Sequence, residues 1–398
     1  MDIAQQTDIS EKPKVALLND PKVRNTIVQV VLLAFICWVI YGMVSNAAYN
    51  LEKAGIASGF GFLNRTSGFG INFSPFLDYS ETSTYSRVYW VGLQNTLMVA
   101  VVGIILATII GFIVGVARLS SNWVVNKLAY CYVEGLRNVP LLLQIFIWYK
   151  GVSAFLPSKQ ESHVLGPFGF LDVAGLTIPK AIPGDSFSYV VYAVLAAIVI
   201  SWLIARWARK RQMDTGQQFP VFWTSIGLIV LLPLILYYVL GRPLDWEYPV
   251  LGKFGLKGGF ALPIEYIALV IALSTYTAAF IAEIVRAGIL AINKGQTEAA
   301  YALGLRSGPT LRLAIIPQAM RVIIPPLTSQ YLNITKNSSL AVAIAYQDLT
   351  SVFAGIALNQ TGQAVEILFI TMMTYLAISL FTSLLMNWYN SRMALIER

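Results

Sequence analysis

Residues able to do chemistry are scarce in this chain, and they concentrate in a few stretches. In the first, Asn333, Lys336, Asn337, Ser338 and Ser339 interrupt an apolar segment whose uncharged halves run Val322–Thr335 and Asn337–Gln347. A lysine near the middle of a bilayer costs on the order of 2.5–3.5 kcal/mol on insertion scales, so it faces protein or water. Its ammonium, with the two serine hydroxyls, can meet an anionic group. The alternative is a side chain that snorkels to the outer interface. The second stretch is Arg137-Asn138-Val139-Pro140-Leu141-Leu142-Leu143-Gln144, where the proline kinks a helix and frees backbone groups beside Arg137 and Gln144.

The third stretch, Lys294–Pro317, reads KGQTEAAYALGLRSGPTLRLAIIP, a short helix-turn-helix of soluble character between long apolar segments. Thr297 is placed to cap a helix over Glu298–Leu303, and Glu298 puts a negative charge at its positive end. Gly304 supplies a left-handed terminus, and Ser307, Gly308 and Pro309 restart a second helix that Pro317 and Arg321 close. Ala299, Ala300, Ala302 and Gly304 keep one side low, so a partner surface can approach the backbone. Just upstream, Glu283 and Arg286 lie one turn apart and are expected to pair, either fixing the following loop or acting as a gating contact.

These stretches sit in a chain of 398 residues that is 57% hydrophobic and only 12% charged, with a mean hydropathy of +0.65. Such a composition excludes an ordinary water-soluble domain and indicates a polytopic, all-α membrane protein with the lipid bilayer as its surroundings. The net charge of +8 is explained by lysine and arginine in loops on the cytoplasmic side, so no nucleic-acid partner is implied. Cys37 and Cys131 sit in or beside apolar segments, and His163 is the single histidine, so no metal site or disulfide is expected. The chain contains no phosphate-binding Gly-x4-Gly-Lys-Ser/Thr loop, and no Ser/His/Asp set that would mark a membrane enzyme.

Hydropathy predicts about eight helices: 26–46, 88–117, a third approached through Lys127, Glu134 and Arg137 and crossing with 141–155, then 186–205, 215–241, 263–286, 322–345 and 364–388. The fourth is stopped by the basic cluster Arg206, Arg209, Lys210 and Arg211, and the loops 47–88, 156–187 and that following 241 are glycine-rich external segments. With the amino terminus inside, cytoplasmic stretches hold 18 of the 28 lysines and arginines, which places both termini and the 294–317 loop in the cytoplasm. Tyrosines and tryptophans at helix ends, Trp202, Trp207 and Trp388 among them, read as interfacial anchors.

Glu298-Ala299-Ala300, three residues, Gly304, nine residues, then Ala314-Ile315-Ile316-Pro317 resembles the EAA loop of permease subunits of ABC importers, with Ala314 and Ile316 departing from the usual Ile-x-Leu-Pro ending. Arg137–Gln144, Glu283-x-x-Arg286-x-Gly288-Ile289, Lys294-Gly295-Gln296 and Lys336-Asn337-x-Ser339-Leu340 are similar to motifs of the polar amino-acid permeases, over about 90–155 and 263–390. The resemblance implies a type I ABC importer permease core in a bacterial inner membrane. It also implies two ATP-binding cassette subunits that carry ATP and Mg²⁺, no cofactor on this chain, a second homologous permease, and a periplasmic amino-acid-binding protein. Glu298, Ala299, Ala300, Gly304 and Pro317 would form the coupling surface. An amino acid brings a carboxylate, which Lys336, Ser338 and Ser339 can meet, and an ammonium, which backbone carbonyls or Glu366 can meet.

The expected organisation is then an arm at 1–24, an extra helix and periplasmic segment at 25–89, core at 90–155, an insertion at 156–262 carrying two extra helices, core again at 263–390, and a tail at 391–398. That longer layout resembles permeases of general L-amino-acid uptake systems. The competing expectation is an ion-gradient-driven carrier, which would need ion-coordinating groups and commonly an internal repeat; the sequence contains no repeat.

Overall fold

The computed structural model describes residues 21–53, 59–252 and 255–393. The expected arm, up to residue 20, and the tail beyond 393 lie outside the described residues. The chain is organised around one closely packed pair of helices, α2 (Tyr85–Ala117) and α7 (Ile264–Leu290). Gly103, Ala107, Gly111 and Gly115 recur every fourth position and form a low stripe on α2. A Cβ on Gly111 would lie 2.6 Å from Ile281 Cβ, and one on Gly115 would lie 2.7 Å from the Ala282 carbonyl. Without side chains there, the two backbones approach closely enough to gain dispersion contacts that lipid cannot supply.

Around this pair stand α3 (Trp123–Arg137), α4 (Leu141–Phe155), α10 (Ile316–Asn337) and, after the one-turn α11 (Leu358–Thr361), α12 (Ala364–Met393). Against the eight expected spans, six helices among the described residues are long and apolar enough to cross a membrane: α1 (Pro21–Lys53), α2, α5 (Phe187–Thr215), α6 (Val221–Val239), α7 and α12. The short α4 and the polar-ended α10 are the other two. The third expected helix is two helices, because Pro140 sits between α3 and α4 and breaks the run rather than bending it. The fourth is not stopped by its basic cluster: α5 runs through Arg206–Arg211 to Gly216, which takes the left-handed conformation at its end. Long cationic side chains are good helix formers, and a cluster of them marks where the membrane ends, not where the helix does.

Whereas the described part of the loop before α2 holds a short 3-10 turn at Phe60–Asn64 and no strand, the other two glycine-rich loops, 156–187 and the one following 241, are not irregular. A four-stranded sheet of β1 (His163–Val164), β2 (Phe170–Asp172), β3 (Gly175–Ile178) and β8 (Phe260–Pro263) forms there, with β4 (Lys180–Pro183) paired to β5 (Leu244–Glu247) and β6 (Val250–Gly252) to β7 (Gly255–Lys257). The pairings are nested. Gly175 opposes Pro263 and Ile178 opposes Phe260, while Lys180 opposes Glu247 and Pro183 opposes Leu244. The α5–α6 hairpin is therefore inserted through two antiparallel ladders whose ends return the chain to the start of α7, where the Ile264 amide donates to the Ala174 carbonyl (3.0 Å). The opposite membrane face carries α8 (Lys294–Ala302), followed by α9 (Ser307–Thr310).

Candidate functional site

The predicted helix-turn-helix is present with different local chemistry. Helix α8 begins four residues before Glu298, and its cap is Asn293, whose Oδ1 accepts from the Gly295 amide at 2.8 Å; Thr297 lies inside the helix. An asparagine directly before the first turn reaches the free amides, and a residue already inside cannot. At the other end the Gly304 amide donates to the Tyr301 carbonyl and the Leu305 amide to the Ala300 carbonyl, with Gly304 at φ 78°. This paired closure needs a left-handed residue and accounts for the glycine.

Pro317 does not close the second helix. The segment Leu311–Ile315 is a π-turn in which the Ile316 amide reaches back to the Leu311 carbonyl, and Pro317 falls in the first turn of α10, so the helical run continues to Asn337. A proline lacks a donor, and the first turn of the new segment is where that donor is not needed. Among the coupling residues, Ala300 is buried and points inward, whereas Glu298, Ala299 and Gly304 are exposed and Pro317 half-buried. The outward surface is completed by Tyr301 and by Leu303, which is 81% exposed. Gln318 Nε2 donates to Gln296 Oε1 (3.1 Å) and ties α8 to α10.

Behind this knob the expected ion pair is formed, with Arg286 Nε 3.0 Å from both Glu283 oxygens. A third residue joins it: Arg118, at the end of α2, brings Nη1 to 3.6 Å from Glu283. Arg137 lies over the Phe280 ring at 5.2 Å, one turn from Glu283. The ends of α2, α3 and α7 are thus gathered on one carboxylate, just where α7 hands over to α8.

Gln144 is buried and donates Nε2 to the carbonyls of Leu136 (2.7 Å) and Val139 (2.9 Å), satisfying groups that the Pro140 break leaves free. Its Oε1 is buried without a partner.

Helix α10 ends within the membrane. Ile334 packs on Gly103, near the midpoint of the 33-residue α2, so Lys336 lies close to mid-depth. Beyond its first turn, the exposed positions on α10 fall at Val322, the adjacent Pro325 and Pro326, Ser329, Asn333 and Lys336, at helical spacing along one side. They make one bare face whose distal half is polar, unlike the apolar bare faces of α1, α5, α6 and α12. Of the neighbouring candidates, Asn337 is half-buried, Ser339 Oγ donates to the Lys336 carbonyl (2.8 Å), and Ser338 is buried with Oγ donating to the Thr335 carbonyl (2.7 Å). Glu366 is not brought to Lys336. It sits in the first turn of α12 and accepts from the Gly59 amide, while Thr374, two turns deeper, meets Tyr89 near the start of α2. At 1.5 Å per residue the separation in depth is on the order of 20 Å.

Two groups of residues escape a sequence reading. Beyond Ala345 (φ 60°) the chain breaks, and buried Asp348 caps the next helical segment by accepting from the Ser351 amide at 2.8 Å. Asn95 Nδ2 donates to the carbonyls of Phe73 and Gln347 (2.8 Å each), and Thr96 Oγ1 accepts from the Leu349 amide (3.1 Å). The Asp-x-x-Ser spacing is the signal that could have found this cap. On the strand face, a cavity of about 640 Å³ is lined by Asn72, Lys159, Glu265 and Gln347 among others, and joins the insertion to the core. Nothing in the local sequence pairs these four.

Comparison with known proteins follows the same outline. Residues 190–395 match the model of the family described as binding-protein-dependent transport system inner membrane component, a stretch that takes in α5 and α6 as well as α7–α12. The chain is 52% identical over 95% of its length, and 94% of the relative's, to the general L-amino acid transport system permease protein AapQ of Rhizobium johnstonii. It is 48% identical to the putative amino-acid ABC transporter permease protein YhdX of Escherichia coli, covering 95% of this chain and 96% of that one. To the glutamate/glutamine/aspartate/asparagine transport system permease protein BztB of Rhodobacter capsulatus it is 41% identical over 98% and 99% of the two chains.

Proposed function

Because this chain belongs to the family of binding-protein-dependent transport system inner membrane components, as an amino-acid ABC permease, we propose that it forms one half of a path for L-amino acids across a bacterial inner membrane. It is a transport subunit and not an enzyme; ATP hydrolysis resides on separate subunits. The observation that carries the reading of the path is the bare polar face of α10. Ser329, Asn333 and Lys336 are exposed from one face of a helix that packs on the protein's own core, and Lys336 lies near mid-depth. A lysine facing hydrocarbon there is costly, so this face meets a second, homologous permease and the path between them. Lys336 serves the substrate carboxylate, with Asn333, Asn337 and Ser339 beside it. Backbone carbonyls at the α10 break serve the ammonium, because Glu366 is too far outward.

Two ATP-binding cassette subunits, holding ATP and Mg²⁺, receive α8 on the cytoplasmic side, with both termini on that side. A periplasmic binding protein delivers polar L-amino acids to the strand face. Exposed Glu298, Ala299, Tyr301 and Leu303 form the contact, and buried Ala300 roots the knob on the permease. ATP-driven approach of the two cassettes displaces α8, and its tie to α10 through Gln296 and Gln318 carries the motion to the helix that bears Lys336.

Gly304 supplies the test. A side chain there meets no atom within 4 Å, but φ is 78°, so strain and bulk can be separated. Asparagine tolerates the left-handed conformation and tryptophan does not. In reconstituted vesicles, Gly304→Asn is expected to retain ATP-dependent uptake, whereas Gly304→Trp folds but hydrolyses ATP without transport. Normal uptake by the tryptophan variant, or uptake driven by an ion gradient without ATP, would refute the coupling.

A further inference from the structure

Tryptophan precedes arginine by four residues three times: Trp202/Arg206, Trp207/Arg211 and Trp388/Arg392. In each case the guanidinium stacks over the indole of the preceding turn, at 4.2, 5.4 and 5.4 Å from the ring centroid. Stacking uses the face of the guanidinium and leaves its N–H edge free to donate. Two of these units come from distant parts of the sequence and meet. Trp202, Arg206 and Arg209 lie at i, i+4 and i+7 on one face of α5, and Arg392 comes from the last turn of α12. Together with Ala205 they line a cavity of about 400 Å³ on the membrane face that carries α8. The two helices otherwise scarcely touch. Among the described residues no carboxylate lies within 4.0 Å of any of the three arginines; the ion pairs found there are those of Glu283 with Arg118 and Arg286. Three cations around one cavity repel one another unless an anion stands between them.

We propose that Arg206, Arg209 and Arg392 form a binding site for a phosphate-bearing ligand, occupied by the headgroup of an anionic phospholipid that joins the inserted α5–α6 hairpin to the core at α12. Guanidinium forks match phosphate oxygens in pairs, the three indoles sit at the level where headgroups lie, and a basic pocket between membrane helices suits an anionic headgroup. The acyl chains would occupy the space between α5 and α12, where Ile198, one turn before Trp202 on the same face, and Leu385 are exposed and apolar. The site gives the hairpin a lipid-dependent attachment that its own few contacts with the core do not provide.

The test is lipid binding to the full chain in mild detergent, read by native mass spectrometry, with phosphatidylglycerol and phosphatidylcholine of identical acyl chains. Phosphatidylglycerol should be retained preferentially. The combined Arg206→Gln, Arg209→Gln and Arg392→Gln variant should lose that preference by on the order of a hundredfold, as expected of three basic side chains near a headgroup. A control with glutamine at Lys127, Lys180 and Lys257 should keep it. If the triple variant does not fold, Arg209→Gln alone should weaken retention severalfold. Equal retention by the arginine variants and the wild type, or equal loss in the control, overturns the site. Full displacement by excess inorganic phosphate at the affinity of the lipid would assign it to a free ion and overturn the lipid occupant.

Discussion

The parallel pair α2–α7 and the antiparallel hairpin α5–α6 are both apolar, yet they obey different rules. At Gly111 and Gly115 any side chain would collide with Ile281, Ala282 or Val285; at Gly227 on α6, and at Gly42 on α1, there is open space around the backbone. The first pair is specified by shape, and three polar interruptions near it are tied to the backbone or to a charge: Gln144 through its amide nitrogen at the α3–α4 break, Asp348 beyond Ala345, Glu283 at the end of α7. The hairpin is specified by hydropathy and by its β-ladders at one end. A moving part has to be exact, while a lipid-facing part has only to be apolar and anchored.

That contrast can be broken at several points. The largest effect is expected for Gly111→Leu, which overpacks the core by at least the 1–3 kcal/mol typical of such changes and should abolish recovery of folded protein. Gly227→Leu should leave yield and unfolding in detergent titrations unchanged. Similar losses from both would mean that the hairpin is packed as tightly as the core. Next comes Asp348→Ala, which removes a buried cap and should cost up to about 2 kcal/mol, seen as an earlier unfolding midpoint; Thr224→Ala at the start of α6 should shift it little.

For Glu283→Gln, the loss of a charge-assisted pair with Arg286 and of the neighbouring attraction to Arg118 is worth about 1–2 kcal/mol at this partly exposed site. If the carboxylate only anchors the α7–α8 joint, uptake should fall in step with stability. A change in transport with an unaltered midpoint would favour the gating reading. Smallest is Tyr331→Phe, which deletes the 2.8 Å bond between the hydroxyls of Tyr331 and Thr108; interhelical bonds of this kind average about 0.6 kcal/mol. A midpoint shift larger than that of Glu283→Gln would reverse the assigned order.

The span order, the membrane setting and the knob between Lys294 and Pro317 are legible without coordinates because they rest on runs of like residues and on turn chemistry a few positions long. Glu283–Arg286 is equally local, one turn apart on one helix. Thr297 was the natural reading of a cap and Asn293 is the cap used. Both are polar residues near a helix start, and only the register of the first turn separates them. Nor does composition separate a loop of glycine and proline from the nested ladders of β3–β8 and β4–β5, because each short strand draws its stability from a partner some 60 to 90 residues away.

The sequence by itself determined that this is a multi-span membrane protein with a soluble-looking knob between two helices and a lysine set within an apolar run. Hydropathy and turn propensity are sums over neighbouring residues, so they survive being read in one dimension. Only the tertiary structure decided that Ala300 faces inward, that α10 leaves one polar face bare, that Glu366 and Lys336 stand at different depths, and that arginines of α5 and α12 share a cavity. Each of those depends on how a helix is rotated about its axis against another, a quantity set by the packing of both partners and by neither sequence segment alone.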